Sequence, residues 1–115
     1  MYYKFDLNKM NELYNFRFIE RRNKMKHHIL NIKLKYAIPK IDGIKPFEIR
    51  QNYRDFQVGD TVRYQCIDDI LMNELISRRL YKITYITDYH QSDNYVVFTE
   101  KLVSIDEDYI NEKRD

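Results

Sequence analysis

Residues 43–60 read GIKPFEIRQNYRDFQVGD, and the reading of this stretch decides both the fold and the candidate site. Phe47 and Ile49 alternate with Glu48 and Arg50, the period of a β-strand with one face toward a core and the other toward solvent or a ligand cleft. The alternation predicts that Phe47 and Ile49 are buried and that Lys45, Glu48 and Arg50 gather on the opposite face. Val58-Gly59-Asp60 reads as a turn, because glycine accepts the positive φ that turns often need, and it leads into a further strand over 61–67. Two cations beside a carboxylate suit an anionic, planar ligand: the cations hold a phosphate and the carboxylate accepts from the exocyclic amine of a base. A structural ion pair between Glu48 and Arg50, sealing one end of a barrel, fits the same residues. Tyr53 and Arg54 follow on a polar loop at the mouth of the same cleft. They offer a stacking surface and a phosphate contact, unless Arg54 folds back onto Asp55 or Asp60.

Working outward, His28 to Ile32 reads as a strand, followed by a short helix whose core contacts would be Tyr36, Ile38 and Ile41. Pro39 is tolerable in or near the first turn of that helix, and Asp42-Gly43 ends it. After the strand over 61–67, Asp68-Asp69 opens a run over 70–79 that fits either a short capped helix or the arm of a hairpin. Residues 81–87 and 95–103 are the clearest remaining strands, joined by a polar loop. At the N-terminus, Asp6 is placed to cap a short helix through Leu7, Met10, Leu13 and Tyr14, and Tyr14, Phe16 and Phe18 then alternate as in a strand. So many apolar residues predict that residues 1–24 pack on the domain or on a partner.

The pattern Gly43, Lys45, Glu48, Ile49, Arg50, then Arg54, Phe56, Val58, Gly59 and Asp60 resembles the ASCH domains of the PUA-like superfamily, with His28 ahead of it and residues 83–88 and 95–98 behind. It is especially similar to a bacterial and phage group of ASCH-like domains with G-x-K-x-x-E-I-R followed by R-x-F-x-V-G-D. The resemblance covers about residues 25 to 105 and implies an α+β fold: a small PUA-like β-barrel of mixed strands with one or two short helices. The chain then divides into an N-terminal extension (1–24), the barrel (25–105) and an acidic C-terminal tail (106–115). For function, the resemblance implies an RNA or nucleotide ligand, with Lys45, Glu48, Arg50, Tyr53 and Arg54 at the cleft. His28 would line the cleft or hydrogen-bond across the barrel.

Some ASCH relatives are amidohydrolases that act on acetylated cytidine through a threonine, a lysine and a glutamate. Here Glu48 stands where they carry the threonine, three residues after Lys45, so the acyl-transfer route lacks its nucleophile. Lys45 and Glu48 can still perform acid–base chemistry, which leaves hydrolysis of a modified nucleoside as one alternative. A phage-encoded accessory protein that binds a host protein through residues 1–24 is another.

Composition sets outer bounds. A length of 115 residues with 43% hydrophobic and 33% charged residues predicts a single globular domain. Its eleven tyrosines and six phenylalanines, with no tryptophan, supply core and rim before they supply base-stacking surfaces. The net charge of +2 is uneven: seven lysines and arginines between residues 17 and 35 face only Glu20, and the last ten residues are acidic. One cysteine, Cys66, reads as a small core residue and suits a reducing compartment. The adjacent His27 and His28 would point to opposite faces of a strand and cannot chelate one ion, so neither metal nor cofactor is expected. No apolar run approaches the roughly 20 residues of a membrane span, which predicts a soluble, cytoplasmic protein.

Overall fold

The computed structural model describes residues 25–109. Its elements are β1 (His27–Ile32), α1 (Leu34–Ile41), β2 (Phe47–Gln51), β3 (Thr61–Cys66), α2 (Ile70–Ile76), β4 (Arg79–Thr87) and β5 (Tyr95–Ile105). The strands form one mixed sheet in the order β1-β3-β4-β5-β2; β1 and β3 are parallel and the other pairs antiparallel. Strand twist curls a sheet of this kind toward closure. At the two edges Arg50 Nη2 on β2 donates to the Asn31 carbonyl on β1 at 2.9 Å. The result is a small α+β domain with two helices and a half-barrel sheet, as expected at that level.

The concave face of the sheet holds the core. Leu30 and Ile32 of β1, Val62 and Tyr64 of β3, Ile83 of β4 and Val96 and Phe98 of β5 alternate inward, and Ala37, Phe56 and Ile76 cover them. In these four strands apolar residues therefore alternate toward the core.

β2 does the reverse. Glu48 is 3% exposed and faces inward on the register of Phe98, whereas Phe47 and Ile49 point outward and Ile49 is 54% exposed. The reason lies in α1. Its buried residues are Ala37 and Lys40, while Tyr36 and Ile38 stay about half exposed, so the helix presents a cation to β2 where an apolar side chain was expected. Pro39 is the sixth residue of this eight-residue helix, outside the first turn. It removes one i to i−4 donor from a helix that ends two residues later. Asp42-Gly43 does end the helix: Gly43 has φ +75, and the Ile44 and Lys45 N–H groups both return to the Pro39 carbonyl.

The run after Asp68-Asp69 resolves as helix α2. Asp69 caps it by accepting from the Met72 N–H at 2.8 Å, and Asp68 accepts from the Leu34 N–H at 2.7 Å, tying the start of α1 to the same loop. Buried Asn73 accepts from the Cys66 N–H at 2.9 Å, which fastens α2 to the end of β3. The loop after β2 is less polar than it reads, since Phe56 is buried in the core, with its N–H on Asn52 Oδ1. Gly59, at φ +96, makes the turn into β3.

The acidic tail begins on the domain: the Asp106 N–H donates to the Arg78 carbonyl and its carboxylate pairs with Arg63. Residues 1–24 and 110–115, with the helix and strand expected near Leu7 and Phe16, lie outside the described residues. Among the described residues no helix is long and apolar enough to cross a membrane.

Candidate functional site

Between the edges of β1 and β2 lies a cleft of about 350 Å³. Asn31, Ile32, Lys33 and Tyr36 form one wall, and Lys45 with residues 47–50 the other. β2 positions its side because the Pro39 carbonyl, by holding the Lys45 N–H, fixes where the strand begins.

Glu48 forms the floor, and three cations converge on it. Its Oε2 takes Lys45 Nζ at 2.5 Å and Lys40 Nζ at 2.8 Å, and its Oε1 takes Arg50 Nε at 3.0 Å and Nη2 at 2.9 Å. Lys40 also pairs with Glu100 of β5, whose other oxygen accepts from the Tyr64 hydroxyl. The Lys40 ammonium lies 4.7 Å from the Tyr64 ring centroid and 5.6 Å from that of Tyr81, where the ring quadrupoles favour a cation. A buried charge costs several kcal/mol unless it is paired and hydrogen-bonded, and here each buried carboxylate has at least two partners.

The two carboxylates respond differently to this arrangement. Burial alone would push the Glu48 carboxyl up, but Lys40, Lys45 and Arg50 together hold it below the usual range. Burial does push Glu100 up, because Lys40 and Tyr64 only partly offset it and the Glu48 charge adds to it. Burial and these two carboxylates also raise the Tyr64 phenol well above its ordinary value. Three cations against two carboxylates leave the cluster with one positive charge, and Lys33 on the rim adds another.

Several donors still face the cleft. Lys45 has three N–H donors and spends one on Glu48; Arg50 Nη1 keeps both of its own. Flat surfaces flank them, with Lys45 Nζ lying 5.6 Å from the Tyr36 ring centroid and 5.4 Å from that of Phe47.

Of the residues expected at the site, Lys45, Glu48 and Arg50 come together, but around a Glu48 that faces inward and not on the face opposite the core. Tyr53 and Arg54 are exposed on the loop beyond the far end of β2 and are not among the lining residues; there Lys26 Nζ donates to the Arg54 carbonyl at 3.2 Å. Arg54 therefore contributes its backbone to a loop clasp. His28 faces the interior of β1, 3% exposed, with Nε2 at 2.9 Å from buried Asp60 Oδ2 and its ring edge-on to Phe56. Of its two expected places, it takes the hydrogen bond within the barrel. Asp60 also accepts from the Lys26 and Gln57 N–H groups, so the pair anchors the turn before β3.

Sequence reasoning did not find Lys40, Glu100 or Tyr64. The signal that could have pointed to Glu100 is its place two residues after Phe98, on the inward face of β5; Lys40 carries no such local signal. Among the described residues no group of His, Cys, Asp and Glu could hold a metal ion.

Residues 27–99 match the model of a family described as "Domain of unknown function (DUF3850)". The match runs from the first residue of β1 into β5, more than half of the chain, and includes Lys40, Lys45, Glu48 and Arg50 but stops one residue short of Glu100. No curated protein matches the chain.

Proposed function

For a chain that belongs to this DUF3850 family, we propose that the seam cleft binds a nucleotide, either free or as one residue of a single-stranded RNA, on a domain of PUA-like type. The observation that carries this reading is the convergence of unspent donors from Lys45 and Arg50, beside Lys33, between the rings of Tyr36 and Phe47. Arginine and lysine donors at that spacing suit a phosphate, and a flat ring beside them suits a base. Glu48 acts as the post that holds both cations toward the cleft, since four donors already occupy its two oxygens. Base reading then falls to the rim, where the Asn31 amide is the exposed polar group of mixed donor and acceptor character.

The test is fluorescence anisotropy with a labelled mononucleotide and short RNAs at several salt concentrations. Lys45→Ala and Arg50→Ala should each weaken all of these ligands. With RNA, each should lower the slope of log affinity against log salt by roughly 0.7. Affinity indifferent to both substitutions would remove the cleft from the reading.

A hydrolase acting on a modified nucleoside is the second reading. It is favoured by the Lys45–Glu48–Lys40–Glu100 chain, which links the cleft to a buried carboxyl pushed up in pKa. Turnover of N4-acetylcytidine that vanishes in Lys45→Ala would promote it over simple binding.

A further inference from the structure

The outer face of the half-barrel, across β4, β5 and β2, is ordered in rows by the strand register. Lys82 lies opposite Lys101; Tyr85, Thr99 and Phe47 form the next row; Thr87, Val97 and Ile49 the one after. Tyr85 is 61% exposed and Phe47 36%. Neighbouring strands are about 4.8 Å apart, so the two aromatic positions sit roughly 10 Å apart, with Thr99 between them and hydrogen-bonded at 2.8 Å to Thr84 at the register shift beside Tyr85, and each ring can carry a planar group.

Charge gives this face its sign. Like charges directly opposite each other on neighbouring strands are destabilising, yet Lys82 and Lys101 are cross-strand partners, both exposed, and neither has a carboxylate within ion-pair distance among the described residues. The outward positions of residues 47–51, 82–87 and 95–103 hold no acidic residue, because Glu48 and Glu100, the two carboxylates in these segments, point inward. A phosphate bridging the two lysines would relieve their repulsion. Phe47 belongs both to the cleft wall and to the Tyr85 row, so the face continues from the cleft without a break.

We infer that the outer face of β4, β5 and β2 carries the nucleotides next to the one in the cleft, with Phe47 and Tyr85 as stacking surfaces and the Lys82–Lys101 pair as a phosphate contact. The ligand class is thus single-stranded oligonucleotide, and the cleft part of this path rests on the reading proposed above. Aromatic platforms flanked by cations are the general solution for single strands, because every base has a flat face to stack.

The full chain is titrated with fluorescein-labelled octauridylate and with a labelled uridine mononucleotide. Tyr85→Ala should weaken the octamer about fivefold or more, Tyr85→Phe should restore it, and the Lys82→Ala, Lys101→Ala double variant, which removes one phosphate contact, should lower the salt slope by about 0.7; none should change mononucleotide binding. If Tyr85→Ala and the double variant leave the octamer unaffected while Lys45→Ala weakens both probes, the outer-face path is wrong and the cleft stands. If the outer-face variants weaken the octamer while Lys45→Ala and Arg50→Ala leave the mononucleotide unaffected, the path stands and the cleft reading fails. An octamer that does not bind the wild type overturns the inference, and the exposed apolar row then falls to a protein partner.

Discussion

Lys40 Nζ, on α1, lies 2.8 Å from Glu48 Oε2, on β2, with both side chains almost fully buried. Helix and edge strand are therefore joined by charge where most small domains would use apolar packing. Because β2 anchors inward through Glu48, its apolar residues Phe47 and Ile49 are released to the outer face, and because Glu48 is fixed, Lys45 and Arg50 are held at the cleft.

Glu48→Gln should lower the unfolding free energy by about 2–4 kcal/mol at neutral pH, since the amide cannot compensate Lys45 and Arg50 and leaves Lys40 with Glu100 alone. Urea denaturation followed by far-UV circular dichroism measures this directly. A change under about 0.5 kcal/mol would mean that the cluster does not hold β2 in place.

The two glycines should respond differently. Gly59 has φ +96, and a Cβ there would come within 3.0 Å of the Met25 Cε atom, so Gly59→Ala meets backbone strain plus a contact that a flexible methionine must yield. Gly43, at φ +75, has open space around it, so Gly43→Ala meets strain alone and Gly43→Asn should be better tolerated. Losses of about 1–2 kcal/mol for Gly59→Ala and about 1 kcal/mol for Gly43→Ala are expected from melting curves. Equal stability of Gly43→Ala and Gly43→Asn would contradict the left-handed backbone assigned to that turn.

How far the chain could be read in advance follows from what each residue does. Strand periodicity located all five strands, and the Asp-Gly and Val-Gly-Asp turns located two junctions, because those signals are local. The parity of β2 was misread for a non-local reason: whether Glu48 or Ile49 faces inward is decided by Lys40 in another element and by Glu100, 52 positions away in the sequence. For His28 the sequence left two places open, and the choice between them is also non-local, since it is made by Asp60, 32 positions away. Lys45, Glu48 and Arg50 were legible together because they lie within six positions of one another.

A chain beginning at Met25 should retain cooperative thermal unfolding. The family match starts at residue 27, and the core of described residues is built wholly from positions 30–98. Circular dichroism melting of the full and shortened chains tests this. A shortened chain that loses its sigmoidal transition would place residues 1–24 within the folding unit.

The pH dependence of the buried cluster separates its two carboxylates. Glu48, depressed in the folded state, contributes stability that is present above its ordinary value of 4.5 and is lost as the pH falls through its lower folded value. Glu100 is raised, so its contribution has the opposite sign: stability is gained as the pH falls from its folded value toward 4.5. Lys40 is the largest opposing influence on both carboxyls. In Lys40→Met, Glu100 loses this partner and faces Glu48 across a buried space, so burial and mutual repulsion should raise both carboxyls. The variant should be about 3–5 kcal/mol less stable than wild type at pH 7, since removing one partner of a buried ion pair strands the other. The deficit should shrink as the pH is lowered from 7 to 4, because the stranded carboxyls can then take up protons while wild-type Glu48 begins to lose its advantage. Thermal melts of both proteins at pH 7, 5.5 and 4 read this out, and a deficit that stays constant across the series would show that Lys40 acts through packing and not through its charge.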